Sequence, residues 1–250
     1  MNDSTIPLIL AIGGHDPSGG AGLQADIEAI AANGGHALSI VTALTTQNTC
    51  NVVQIYPQPA SQIANQYRLI LQESPIKAIK IGLLGNTQIA NMLADLLAEH
   101  PKLPVVLDPI LKAGHDNTSF TDNKLQTVIR NRLLPYCTLV TPNSLEARTL
   151  ADSDNLAYCA NAIINNGCNA VLITGAHEAN QMVINRLYTA EAGLVQEDHW
   201  PRLSGTYHGS GCTLAATIAT KLAMGIPLTT AIAQAQIYTW KSLKQAFTSG

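Results

Sequence analysis

The chain has 250 residues, of which 46% are hydrophobic and only 12% are charged, and its formal net charge is −3. This length suits a single α/β domain with a large core. The net charge is weakly negative and no Lys/Arg run occurs, so the chain lacks the basic patch that is typical of nucleic-acid-binding proteins. Because so few residues are charged, we expect part of the surface to be covered in a homo-oligomer, most simply a homodimer.

The cysteine content and the hydropathy of the chain bear on its cellular compartment and on membrane association. The number of cysteines is odd and no Cys-X-X-Cys pair occurs, which argues against a disulfide framework or a zinc site and favours a reducing cytoplasm. The apolar run Ile6–Ile12 is too short to span a membrane, and it follows Asp3 rather than a basic segment. We therefore expect neither a membrane anchor nor a signal peptide.

Hydrophobic periodicity predicts an alternation of strands and helices along the whole chain. The predicted strands are Pro7–Ile12, His36–Leu44, Val52–Tyr56, Lys77–Ile81, Pro104–Leu107, Thr138–Val140, Ala170–Ile173, Gln181–Tyr188 and Leu194–Trp200. The predicted helices are one containing Leu23 to Ala31, then Ser61–Gln72, Thr87–Glu99, Asp122–Leu134, Ser144–Ala151, Ala157–Asn166, Cys212–Met224 and Leu228–Phe247. Such an order predicts one domain, residues 1–250, with a mostly parallel sheet and helices on both faces.

In a sheet of this kind, ligands bind beyond the carboxyl ends of the strands. The residues predicted at those ends are Gly14, Gln47, Gly82, Asp108, Asn143 and Gly175. We expect them to line one crevice, together with the start of the helix that contains Cys212.

The segment around Cys212 carries the strongest signal for chemistry. Gly209-Ser210-Gly211 directly precedes an apolar helix pattern, and the free N–H groups of a helix start can bind an anion. A cysteine at that position should have a lowered pKa and be partly thiolate. An anion site beside a deprotonable group suits phosphoryl transfer to a hydroxyl. The alternative is a glycine-rich turn with a buried cysteine.

Four polar residues near the strand ends are candidate ligands. Asp26 lies beside the apolar stripe of the first helix, so it either binds a polar ligand edge or caps a loop. Gln47 follows two threonines, which suits a neutral heteroaromatic ring or an ordinary turn. Asp108 and Glu146 are oxygen donors suited to magnesium and phosphate, although Glu146 also suits the first turn of its helix.

Several motifs resemble those of the hydroxymethylpyrimidine/phosphomethylpyrimidine kinase family, which has the three-layer ribokinase-like fold. They occur in the family's order over about the whole chain, beginning with Gly13-Gly-His-Asp-Pro-Ser-Gly-Gly-Ala-Gly-Leu-Gln-Ala-Asp26. The others are Thr42-Ala-Leu-Thr-Thr-Gln-Asn-Thr49, Lys80-Ile-Gly-Leu-Leu84, Val106-Leu-Asp-Pro109, Thr141-Pro-Asn-Ser-Leu-Glu146 and His208-Gly-Ser-Gly-Cys-Thr-Leu214.

The resemblance implies ATP- and magnesium-dependent phosphorylation of 4-amino-5-hydroxymethyl-2-methylpyrimidine, and in many members of its monophosphate, in thiamine biosynthesis. Cys212 would be the base, with Gly209, Ser210 and Gly211 holding the transferred phosphate. The pyrimidine would contact Gly14, Ala21, Asp26, Gln47, Gly82 and Leu83. The nucleotide would contact Asn143, Glu146, Thr174, Gly175 and His208, and the metal would be held by Asp108 and Glu146.

Three departures from the family pattern mark a divergent branch. The segment Trp200-Pro-Arg-Leu-Ser-Gly-Thr-Tyr207, before the helix start, lacks the family's common Asn-Thr pair. The family usually has Lys-Gly-Gly-His where this chain has Thr174-Gly-Ala-His177, so a cation is missing on the nucleotide side. The usual Lys-Ser-Gly-Asp lid is replaced by Lys112-Ala-Gly-His-Asp116. The alternatives to a pyrimidine kinase are a pyridoxal-type kinase, which shares the fold, and a non-catalytic pyrimidine-binding protein.

Overall fold

The computed structural model describes residues 6–49, 51–113, 118–119, 123–205 and 207–246. Its centre is a nine-stranded sheet in the order β11-β10-β9-β8-β5-β4-β1-β2-β3. The strands are β1 Leu8–His15, β2 His36–Gln47, β3 Val52–Pro57, β4 Ile76–Ile81, β5 Val105–Leu107, β8 Leu139–Val140, β9 Ala170–Ile173, β10 Met182–Thr189 and β11 Gly193–Pro201. A separate two-stranded ribbon pairs β6 Lys112–Ala113 with β7 Thr118–Ser119.

The six strands in the middle of the sheet are parallel, as the sequence predicts. Both edges turn antiparallel, because β3 pairs with β2 at one edge and the β10–β11 hairpin closes the other. The strands predicted over Val52–Tyr56, Gln181–Tyr188 and Leu194–Trp200 are confirmed, and they form these antiparallel edges. Within the described residues no helix is long and apolar enough to cross a membrane.

Helices cover both faces of the sheet. They are α1 Gly22–Ala32, α2 Ala60–Glu73, α3 Thr87–Ala98, α4 Asn123–Val128, α5 Ser144–Ala151, α6 Leu156–Asn165, α7 Ser210–Ala223 and α8 Leu228–Lys244. Strand β1 shows how the two layers arise, since Ile9 and Ala11 join the core under α1, α7 and α8, whereas Leu10 and Ile12 join the core under the other helices. A strand buried on both faces needs the continuous apolar run seen there.

The main error in the predicted helices lies after residue 122. Instead of one helix over Asp122–Leu134, α4 passes into a π-helical turn at Ile129–Leu133 and then a 3₁₀ turn at Leu134–Tyr136. Pro135 supplies no N–H for an α-helical hydrogen bond, which favours the helix ending there. The predicted start at residue 122 and the lid positions 114–117 lie outside the described residues.

Candidate active site

The predicted crevice residues do converge at one edge of the parallel strands. Gly82 donates its N–H to Ile12, and Asp108 donates its N–H to Ile81. Asn143 bridges to Thr174 in parallel fashion. The carboxylate of Asp108 faces the start of α7, since a Cβ on Gly211 would lie 3.5 Å from its Oδ2. Gln47 also lies in the antiparallel edge pair of β2 with β3, and its side chain reaches Asp16 in the loop after β1.

A buried ion pair lies at the base of this crevice. The Lys80 Nζ of β4 is 2.7 Å from Oδ1 and 2.8 Å from Oδ2 of Asp26 on α1, and both side chains are fully buried. Burial raises the pKa of Asp26 to about 6 although Lys80 opposes the shift. The pKa of Lys80 rises against the effect of burial, because Asp26, Cys212 and Asp108 surround it with negative charge.

Lys80 is the residue that reasoning from the sequence missed. In the sequence Lys80 is only the first residue of the motif Lys80-Ile-Gly-Leu-Leu84. In the structure its ammonium connects Asp26 to the rest of the site. A lysine within the apolar run Ile76–Ile81 was the available signal, because a charge in a strand buried on both faces needs a partner. Gly82 is also explained, since a Cβ there would lie 2.8 Å from Lys80 Nζ.

Cys212 lies in the first turn of α7 and is only 5% exposed. Its predicted low pKa is wrong. Burial raises the pKa of the thiol to about 12, and Asp108 and Asp26 add to the shift, whereas Lys80 and a hydrogen bond from the Gly22 backbone oppose it. Loss of hydration therefore outweighs the charge of Lys80 and the Gly22 hydrogen bond, both of which favour the thiolate. The protonated thiol donates a hydrogen bond to Asp108.

Two glycine-rich loops interlock above Cys212. Asp16 Oδ1 accepts from the N–H and the hydroxyl of Ser18 at 2.8 and 2.7 Å. Its Oδ2 accepts from the Ala21 N–H at 2.9 Å and lies 2.9 Å from His208 Nε2. Burial raises the pKa of Asp16, but the hydrogen bonds from Ser18, Gln47 and Ala21 outweigh it and lower the pKa.

The contact between these loops requires glycine at position 209. Gly209 has φ +81°, and a Cβ there would lie 1.9 Å from the carbonyl oxygen of Gly20. Three predicted ligand residues, Ala21, Gln47 and His208, therefore contact Asp16, which the sequence reasoning did not single out. Their own role toward ligands stays a prediction.

Asn143 and Glu146 form the capping box of α5. Asn143 Oδ1 accepts from the N–H groups of Leu145 and Glu146, and Glu146 Oε2 accepts from the Asn143 N–H at 2.9 Å. Burial, and secondly the charge of Asp108, raise the pKa of Glu146 to about 8. The buried carboxylates of Asp108 and Glu146 disfavour each other's negative charge. A magnesium ion bound by both would stabilise them in the ionised form.

Thr174 and Gly175 continue β9 beside this capping box. The Ser144 N–H donates to the Thr174 carbonyl at 3.0 Å. The Gly175 N–H donates to Asn185 Oδ1 at 3.0 Å, so this amide already has a partner. A Cβ on Gly175 would lie 2.2 Å from the Ile184 carbonyl oxygen, which explains the glycine by close packing against β10.

The fold and the site define a class of protein. A three-layer fold whose central sheet is mostly parallel, with a glycine-rich helix start and two carboxylates at its crevice, is the ribokinase-like kinase architecture. The family model described as phosphomethylpyrimidine kinase matches residues 16–250. The chain belongs to the phosphomethylpyrimidine kinase family.

Three similar proteins support this placement. A hydroxymethylpyrimidine/phosphomethylpyrimidine kinase of Streptomyces coelicolor is 34% identical, over 98% of this chain and 92% of the relative. The crystal structure of phosphomethylpyrimidine kinase from Clostridium difficile has a TM-score of 0.81 at 25% identity and covers 96% of this chain and all of that one. An ADP complex of Bacillus subtilis pyridoxal kinase has a TM-score of 0.88 at 26% identity, covering 98% and 95%.

Removing Lys80 should destabilise the protein strongly. We expect Lys80→Met to lower the free energy of unfolding by about 3–5 kcal/mol, because it leaves the buried Asp26 without its counter-charge. Chemical denaturation measures this loss. The double variant Lys80→Met/Asp26→Leu should lose less than Lys80→Met alone, since both members of the pair are gone. Equal losses in the two variants would contradict the role of the ion pair.

The ionisation of Glu146 should make stability depend on pH. Its pKa rises on folding from 4.5 to about 8, so the folded state holds this proton more tightly than the unfolded state. The resulting stabilisation is complete below pH 4.5 and is lost as the pH rises to about 8. Denaturation of metal-free protein from pH 5 to pH 8 should show this fall, and Glu146→Gln should flatten it. An equally steep fall in Glu146→Gln would contradict the assignment.

Proposed function

We propose that this chain transfers the γ-phosphate of ATP to the hydroxymethyl group of 4-amino-5-hydroxymethyl-2-methylpyrimidine, within thiamine biosynthesis. One observation carries the proposal: Gly209-Ser210-Gly211-Cys212 begins a helix beside buried Lys80 and Asp108, in a chain of the phosphomethylpyrimidine kinase family. The monophosphate of the same pyrimidine is the proposed second acceptor.

The proposed binding residues fall on two sides of Cys212. On the acceptor side, Leu83 packs over Gly14, and the Leu83 carbonyl accepts a hydrogen bond from the Thr42 hydroxyl at 2.5 Å. On the nucleotide side lie Asn143, Glu146, Thr174 and Gly175. Support for this division comes from the strand order, since β1 and β4 precede β5, and β8 and β9 follow it across the sheet.

Asp108 and Glu146 are the residues that would hold magnesium. A bound magnesium ion would neutralise phosphate charge in the transition state. The acidic surroundings fit this role, because Asp26, Asp108 and Glu146 all have pKa values raised by burial, and nearby carboxylate charge adds to the shift in Asp26 and Glu146.

The proposed proton path uses the thiol and its partner. As the substrate oxygen forms a bond to the γ-phosphorus and the bond to the ADP oxygen breaks, the hydroxyl proton passes to the Cys212 sulfur. The thiol proton passes to Asp108, which already accepts its hydrogen bond. Lys80 favours the loss of the thiol proton to Asp108, since its charge lowers the pKa of Cys212. The Gly211 and Cys212 amides lie at the positive end of α7.

A homodimer is proposed with the edge ribbon as its contact. Leu44, Val53 and Tyr56 on β2 and β3 are 47%, 74% and 45% exposed. Exposed apolar side chains that form a contiguous patch mark interaction surfaces, and these three lie on one edge ribbon. Sedimentation velocity of the protein and of Val53→Glu would test this contact.

A pyridoxal-type kinase is the second candidate, favoured by the fold match to the Bacillus subtilis pyridoxal kinase. Purified protein with magnesium, ATP and each acceptor would separate the two, with products resolved as mono- or diphosphate. We expect ADP and the pyrimidine monophosphate, with slower turnover of pyridoxal. Faster turnover of pyridoxal would favour the second candidate. ATP binding without turnover of either acceptor would favour a non-catalytic binding protein.

Replacing Cys212 should abolish most turnover without weakening ATP binding. We expect Cys212→Ala to lower kcat by roughly 10²–10⁴-fold, the usual contribution of a positioned proton acceptor. The Kd for ATP, measured by calorimetry, should stay within about twofold, because no charge is removed. Cys159→Ala, a buried thiol on α6, is the matched control and should keep wild-type kcat. Near-normal kcat in Cys212→Ala would remove the thiol from the proton path.

A further inference from the structure

We propose that Arg202 is the positioning residue for the nucleotide side of the site, and that it orders the loop of residues 175–180 in a chain that has threonine at position 174. This inference rests on the proposed function only in placing the nucleotide next to that loop. It concerns a residue just beyond β11 that no motif in the sequence singled out.

The guanidinium of Arg202 binds three alternate carbonyls of the loop. Nη1 donates to Ala176 at 2.7 Å, Nη2 donates to Glu178 at 2.7 Å and Nε donates to Asn180 at 3.0 Å. Hydrogen bonds from a charged donor are stronger than neutral ones, and the rigid planar fork fixes several acceptors at once. A lysine ammonium cannot reproduce this arrangement. One side chain therefore holds three carbonyls of the loop backbone.

Two further anchors hold the same loop. Arg148 of α5 binds Glu178 through both oxygens, at 2.7 and 3.0 Å, and these bonds lower the pKa of Glu178 to about 2. At the start of the loop, Asn185 accepts from Gly175 and donates to Gln236 of α8 at 2.8 Å. The loop is thus tied to α5, β10 and α8, and Arg202 binds its backbone at residues 176, 178 and 180.

The position of the loop connects it to the nucleotide side rather than to the acceptor side. It continues directly from Thr174, which bridges to Asn143 and accepts a hydrogen bond from Ser144, the first residue of α5. Arg202 also lies near enough to His177 to contribute, after burial, to the lowered pKa of that imidazole. Arg202 therefore places a positive charge beside His177, in the loop that directly follows Thr174.

The test compares Arg202→Gln and Arg202→Lys with wild type in three measurements. These are the Kd for ATP by calorimetry with magnesium, the KM for ATP against the KM for the pyrimidine, and hydrogen exchange of the amides in residues 176–181. We expect both variants to raise the Kd and KM for ATP about tenfold or more, since charged hydrogen bonds are lost. The pyrimidine KM should stay within about twofold, and loop exchange should rise.

A matched control comes from the same hairpin. Arg186 of β10 pairs with Glu197 of β11 at 2.7 Å and makes no hydrogen bond to the loop within the described residues, so Arg186→Gln should leave ATP binding at the wild-type value. Wild-type ATP affinity in Arg202→Gln would overturn the inference, as would an equal rise in both KM values. If the wild-type protein itself binds no ATP, the proposed function fails, and that result is visible before any variant is made.

Discussion

The ion pair between Lys80 and Asp26 is the constraint on which the rest of the site depends. It joins the central strand β4 to the helix that follows the first glycine-rich loop, at a point without water access. A fully buried pair of charges is stable only when each partner is held in place, so strand and helix must keep a fixed separation. Gly82 leaves room for the ammonium, and Cys212 and Asp108 face the same charge.

Because Lys80 faces two carboxylates and a thiol, the site carries more potential negative charge than positive charge. Burial therefore favours the protonated forms of Glu146 and Cys212 in the free protein, whereas Lys80 opposes the protonation of Asp26. A cationic ligand would reverse this preference for the Glu146 carboxylate. In the free site Glu146 and Cys212 are thus protonated. Ionisation of the site is coupled to the binding of a ligand. This coupling follows from packing, because the same residues on a surface would hardly differ from their ordinary pKa values.

The sequence predicted the architecture well because alternating strands and helices leave few topologies to choose from. Strand β1 is an unbroken apolar run, and its position in the middle of a parallel sheet follows from that run. The π-helical turn at Ile129–Leu133 was missed, since its residues have the spacing of an ordinary helix. The pKa of Cys212 was predicted with the wrong sign, because a helix start is visible in a sequence whereas the depth of burial is not.

The two sides of the site are held by different kinds of interaction. Where the two glycine-rich loops meet, backbone approaches backbone, as Gly209 does Gly20, and Asp16 accepts from the N–H groups of Ser18 and Ala21. In the loop that follows Thr174, side chains bind the backbone carbonyls, as Arg202 does. A contact between two backbones tolerates few substitutions because an added Cβ has no room, whereas a loop held by a side chain depends on the donors which that side chain supplies.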